Sequence, residues 1–184
     1  MKILLTLLLL VMLQNVTYSQ GVLKKGSYNI GGGISFSITD NSYPDYNIKT
    51  QLLFLNPSVK YHVLKALSIG GEMHFHYSHE KNITDSTNLR LIKRIFCIGP
   101  NVRYYFHDKN FAPFIESSIL YSILLPETIN GYRITVGAGI SCFITNSVAV
   151  EPHVSYIYNN FTNSDYNIRT FVVGIGLKYY INNN

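Results

Sequence analysis

The chain has 184 residues, a formal net charge of +5 and a pI near 9.1. Charged residues make up 14%, well below the roughly 25% of ordinary soluble domains. No run of Lys or Arg is longer than two residues, so the basic balance does not make a nucleic-acid surface.

Reading from the start, Lys2 precedes an apolar run from Ile3 to Leu13, and Thr17-Tyr18-Ser19 sets small residues three and one positions ahead of a cut after Ser19. This predicts a secretory signal peptide over residues 1–19. The run falls short of the roughly 20 residues that a spanning helix needs, and Gln20 gives no lipoprotein site. Residues 20–184 are then one domain with no later apolar segment long enough for a helix to cross a bilayer, so only a closed barrel could do so.

Eight strands are expected near 26–39, 48–61, 67–78, 91–106, 111–123, 132–144, 148–158 and 167–181, because apolar and polar residues alternate with period two. In the first strand the polar parity reads Asn29, Gly31, Gly33, Ser35, Ser37, and in the sixth Thr135, Gly137, Gly139, Ser141. Small residues suit a narrow interior, whereas a water-facing surface would carry Lys and Glu. Ile30, Ile34, Phe36 and Ile38, with Ile134, Val136, Ile140 and Ile144, would then face lipid. Fifteen Tyr and no Trp suit interfacial girdles.

The connections alternate. His62–Ala66, His107–Asn110 and Thr145–Ser147 are short; Asp40–Asn47, His79–Arg90, Leu124–Gly131 and Asn159–Tyr166 are longer and polar. The expected fold class is therefore all-β, an eight-stranded antiparallel up-and-down transmembrane β-barrel with both ends on the short-turn side. Pro57-Ser58-Val59-Lys60-Tyr61 is echoed by Pro100-Asn101-Val102-Arg103-Tyr104, and Asp45-Tyr46-Asn47-Ile48-Lys49-Thr50 by Asp165-Tyr166-Asn167-Ile168-Arg169-Thr170, which makes a hairpin the repeating unit. The prolines share the lipid-facing parity and mark a bulge or strand end. Cys97 shares its parity with Gly99, and Cys142 with Ile140, so the two should point to opposite faces as free thiols.

Glu72, Glu116 and Glu151 lie on the polar parity of one set of strands, and Lys60, Arg103 and Lys178 on that of the neighbouring set. All six fall near the short-turn rim and are expected to form cross-strand pairs that fill the lumen. Glu72, His74 and His76 share a face, with His153 on the interior parity elsewhere, but spacing fixes no third ligand. No metal and no cofactor is implied. Lys49, Arg94 and Arg169 point outward 12, 10 and 10 residues before Tyr61, Tyr104 and Tyr179. Ten residues at a tilt near 40° rise roughly 25 Å, the height of an apolar band. Those cations are candidate contacts for lipopolysaccharide phosphates.

Gly99-Pro100-Asn101-Val102-Arg103-Tyr104-Tyr105-Phe106 followed by Phe111-Ala112-Pro113-Phe114-Ile115-Glu116 resembles the outer-membrane β-barrel-domain family of Gram-negative bacteria, the small OmpA/OmpX-like barrels. The resemblance covers nearly the whole mature chain. It implies an eight-stranded barrel in the outer membrane, usually with no assigned reaction. The chain departs from it in ending Tyr179-Tyr180-Ile181-Asn182-Asn183-Asn184 without a terminal aromatic, which leaves Tyr180 as the candidate substitute. His76-Tyr77-Ser78 resembles the His-x-Ser pair of lipid A deacylases, although both side chains should point into the lumen, away from lipid. The expectation is a monomeric, non-catalytic surface or structural barrel. Its partners would be outer-membrane lipid, lipopolysaccharide and the barrel assembly machinery, and none would be nucleic acid. A lipid-modifying enzyme and a narrow channel are the alternatives.

Overall fold

The computed structural model describes residues 23–42, 47–84, 87–107, 110–126, 129–162 and 167–182; for 36–42, 47–52, 79–84, 87–93 and 167–168 it describes the backbone alone. Residues 1–19, the expected leader, lie outside the described residues. Nine strands follow in order: β1 (Tyr28–Ser42), β2 (Asn47–Leu55), β3 (Ser58–His62), β4 (Leu67–Thr84), β5 (Thr87–Tyr105), β6 (Phe111–Leu125), β7 (Ile129–Phe143), β8 (Val148–Phe161) and β9 (Asn167–Ile181). They make eight staves, because β2 and β3 both pair with β1 and β4 and differ only by the interruption at Asn56-Pro57. The register carries through that gap without offset, from Ile34↔Leu55 to Gly31↔Ser58 and from Leu55↔Phe75 to Ser58↔Glu72. Pro57 therefore ends a strand and inserts no bulge. It lacks the N–H that a ladder needs, while its carbonyl still accepts from Met73 N at 2.9 Å.

Antiparallel pairing of β1 with β9 closes the sheet. Partners followed once around, Tyr28, Tyr61, Ile69, Val102, Ser117, Val136, Tyr156 and Phe171, return to β1 at Ile38, a stagger of ten residues, when the β1–β9 register is continued three residues past Ser35↔Gly174. With strands about 4.8 Å apart and about 3.3 Å per residue, eight staves at that stagger tilt by about 41° and enclose a backbone radius of about 8 Å. Side chains alone can fill such a lumen.

The strands outrun expectation at the long-loop rim. β4 and β5 stay paired to Thr84↔Thr87, so His79–Arg90, expected as a loop, is mostly ladder. Likewise β6 reaches Leu125 and β7 starts at Ile129. Ladder hydrogen bonds belong to the backbone, so a polar tract such as His79–Asn82 can continue a hairpin beyond the apolar band. At the other rim β1 starts two residues late. Gly26 turns there with φ +87, a left-handed value that favours Gly, and its N–H donates to His62 O at 2.8 Å.

The surface is inverted. Outward residues such as Ile30, Ile119, Val136, Phe171, Val173 and Leu177 are exposed, while Lys60, Arg103, Arg133, Glu151 and Lys178 are buried. Exposed Tyr28, Tyr61, Tyr104 and Tyr179 stand near the short-turn ends of their strands, and the rings of Tyr28 and Tyr61 are 5.0 Å apart. Tyr180 is buried, so it cannot substitute for a lipid-facing terminal aromatic; Tyr179 is the aromatic that points out.

The lumen is not uniformly polar. A floor of Leu23, Tyr105, Ala112, Phe114, Ala149 and Tyr180 packs together at the short-turn end. Ile95, Cys97, Leu120, Leu124 and Phe161 line the opposite half, with Phe54, Ile157 and Val172 in a third cluster.

Both cysteines are free. Cys97 lies in the lumen, accepting from Ser122 Oγ at 3.2 Å, and Cys142 is half-buried between outward neighbours. Folded protein is expected to migrate identically on gels with and without reductant, at monomer size. A shift traceable to an intramolecular disulfide would contradict the register of β5 or β7.

Candidate functional site: a charged plug in the lumen

The six charges converge through long side chains, and the ladder makes room for them. Lys60 is level with Gly70, Glu72 with Gly99, Glu116 with Gly137, Glu151 with Gly176 and Lys178 with Gly31. A lumen of about 8 Å radius cannot hold two large side chains at every level, so each of these five charges lies beside a position without one.

Arg103 is the hub. Its Nε and Nη2 donate to Glu116 Oε2 at 3.0 and 2.8 Å, and its Nη1 donates to Glu151 Oε1 and Oε2 at 2.8 and 2.7 Å. Its guanidinium also lies 3.8 Å from the centre of the Phe114 ring. Lys60 Nζ donates to Glu116 Oε2 at 2.8 Å, while Ser141 Oγ and Tyr180 OH donate to Glu151 Oε1 at 2.6 and 3.3 Å.

Of these pairs only Arg103–Glu116 joins direct ladder partners. Lys60–Glu116 and Arg103–Glu151 reach across the lumen, between β3 and β6 and between β5 and β8, contrary to the expected neighbour pairing. Two charges stand outside the hub. Lys178 Nζ donates to Ser58 Oγ, and Glu72 accepts from Asn101 Nδ2 at 2.9 Å and from His74 Nε2 at 3.0 Å. Cavities of about 20 and 10 Å³ remain around the plug, enough for single waters.

Sequence reading missed Arg133, which is fully buried. It shares parity with Thr135, the first residue of the polar face recognised on that strand, so extending the alternation by one step would have found it. Its Nε donates to Asn159 Oδ1 at 2.6 Å, and its Nη1 meets His74 Nδ1 at 3.2 Å. A guanidinium only donates, so His74 accepts on Nδ1 and donates from Nε2 to Glu72. His74 thereby links Arg133 to Glu72.

His76 stacks on Phe54 with ring centres 4.3 Å apart. Among the described residues neither its ring nitrogens nor Ser78 Oγ has a hydrogen-bond partner, so His76 and Ser78 are not bonded to each other as base and nucleophile would be. His153 Nδ1 donates to Glu151 O at 3.1 Å. Among the described residues, no three His, Cys, Asp or Glu side chains come together to hold a metal ion. Arg94 and Arg169 are exposed on β5 and β9. Lys49 is placed on β2 level with Lys81, and its side chain lies outside the described residues.

No family model matches the sequence, and no curated protein does. Solved structures share the fold. The outer-membrane protein OprG from Pseudomonas aeruginosa aligns with a TM-score of 0.59 at 10% identity, over 86% of this chain and 97% of that one. AlkL, an outer-membrane protein determined in lipid bilayers, aligns at 0.51 with 12% identity, over 90% and 94%. The chain thus has the closed eight-stave architecture of small outer-membrane barrels, and its outward apolar surface matches that location.

Proposed function

We propose that this chain is a non-catalytic outer-membrane barrel acting as a surface or structural protein, with lipopolysaccharide held at its outer rim. The plug supports this reading most. Arg103 ties β5 to β6 and β8 at a single level, and Lys60 ties β3 to β6, which braces the wall, and the two cavities described beside the plug are water-sized. Exposed Arg94 and Arg169 sit about ten residues above the Tyr104 and Tyr179 ring, where lipid A phosphates would lie.

Cell fractionation with heat-modifiable gel migration tests location and fold together. Parent protein is expected in the outer-membrane fraction, and without current steps in planar bilayers. The double substitution Arg94→Glu and Arg169→Glu should keep heat-modifiable migration while lowering retention of lipopolysaccharide during purification. Unchanged retention would remove the rim contact, and steady conductance would replace this reading with a channel.

A further inference from the structure

The lipid-facing wall is recessed where β1, β3, β4 and β5 run side by side. A cavity of about 320 Å³ opens on the outer face between Ile30, Val59, Met73 and Ile98. The local sequence makes it. Gly71 takes an outward position opposite Val59 without a side chain, and the nearest atom to a Cβ there would be Gly99 O at 3.8 Å. Pro57, at the strand break, adds only its short ring. Ile30, Val59, Met73 and Ile98 stand exposed around this floor as lips. Glu72 also borders the recess, but its carboxylate is turned into the lumen toward Asn101 and His74.

A second cavity, of about 230 Å³, lies at the short-turn end of the same staves, where Lys65, Ala66, Tyr104, Phe106 and His107 surround Leu23. This rim is basic. Lys24 and Lys25 follow Leu23, Lys65 and His107 are exposed, and no carboxylate stands among the described residues of these turns. Asp108 and Lys109, next after His107, are of opposite sign and lie outside the described residues. Lys65 and Gly71 are six residues apart along one stave, a path of about 20 Å. At a tilt of about 41° that path climbs about 15 Å, half of the roughly 30 Å of a hydrocarbon core. The recess therefore lies at the depth reached by acyl chains whose headgroups meet Lys65.

We propose that this wall holds one anionic glycerophospholipid of the periplasmic leaflet. Its phosphate meets Lys65 and His107, its glycerol region lies against Tyr104 and Phe106, and one acyl chain is laid in the recess at Gly71. Bilayer tails are as apolar as the wall, so hydrophobic burial does not choose between them. Retention comes instead from dispersion contacts on the floor and both lips of the recess, and from charge-assisted contact with the phosphate. Lipopolysaccharide does not suit the site, because its phosphates would lie at the far rim with Arg94 and Arg169. The inference rests on the outer-membrane location and is independent of the contact proposed for that far rim.

Native mass spectrometry tests it, with folded protein released from non-ionic detergent micelles doped with dipalmitoyl phosphatidylglycerol or, for comparison, dipalmitoyl phosphatidylcholine. The parent should retain a single phosphatidylglycerol and severalfold less phosphatidylcholine. Gly71→Leu fills the recess and should lower that occupancy severalfold. Ala138→Leu adds the same side chain to the outward face of β7, three staves away, and should leave it unchanged. Lys65→Glu should abolish the preference between the two lipids. Lipopolysaccharide retention should be the same in Gly71→Leu as in the parent, which separates this site from the outer rim. Heat-modifiable migration checks that each variant is folded. If Gly71→Leu does not fold, Val59→Phe on the lip opposite carries the comparison, with the same loss expected. The proposal is overturned by a folded parent that retains no phospholipid, by equal losses in Gly71→Leu and Ala138→Leu, or by an unaltered preference in Lys65→Glu. A parent dimer that Gly71→Leu dissociates would also overturn it, by giving the recess to a second copy of the chain.

Discussion

Arg103→Met is expected to destabilise the folded barrel by about 3 kcal/mol, whereas Lys178→Met should stay within about 1 kcal/mol of the parent. Removing one member of a buried ion pair typically costs about 3–5 kcal/mol, because the partner is left charged and desolvated. Arg103 serves two such partners and donates four hydrogen bonds to them. The low end of the range applies because Lys60 still holds Glu116, and Ser141 and Tyr180 still donate to Glu151. Lys178 is also buried, yet it donates to a serine and not to a carboxylate, and among the described lumen side chains four bases, Lys60, Arg103, Arg133 and Lys178, already face three carboxylates. Its loss strands no acid. Urea unfolding in one detergent measures both. Equal costs would mean that the six charges share the load evenly, and a larger cost for Lys178→Met would displace Arg103 as the hub.

The alternation of Ile30, Ile34 and Ile134, Val136 against Gly, Ser and Asn showed the inverted surface from sequence because a barrel wall has two faces of opposite chemistry. The same signal lost the apolar half of the lumen. Leu52-Leu53-Phe54-Leu55 is apolar at both parities, so nothing in it reveals that Phe54 turns inward while Leu55 faces lipid. Ile119-Leu120 is apolar at both parities too, and only the inward parity of Glu116 on the same strand marks Leu120 as the inward member. Which charges pair was also out of reach. Strand order identifies ladder neighbours, but a side chain as long as Arg103 crosses a lumen of about 8 Å radius, and the stagger that brings β5 level with β8 exists only once the barrel has closed. The glycines were legible as small residues, though not as the spaces beside individual charges.

Adjacent glycines on β4 should answer opposite ways to the same substitution. Gly70 takes the inward parity beside Lys60, and a Cβ there would lie 2.0 Å from Val59 O and 2.6 Å from Lys60 Cα. Both are backbone atoms, so no rotamer change relieves the overlap and the β3–β4 pairing itself must open. Gly71 points outward, and the nearest atom to its Cβ would be Gly99 O at 3.8 Å, ordinary contact. Overpacking a well-packed site typically costs about 1–3 kcal/mol. A backbone overlap this close places Gly70→Ala at about 3 kcal/mol, or prevents heat-modifiable folding altogether. Gly71→Ala should instead be neutral or stabilising by about 0.5–1 kcal/mol, since Gly within a strand loses more chain entropy than Ala on folding. The two variants differ by one residue in position and none in chemistry, so urea unfolding in detergent isolates the face that each presents. Similar losses at both positions would show that strand propensity, and not the crowded inner wall, governs this segment. A loss at Gly71 alone would mean that β4 is turned the other way.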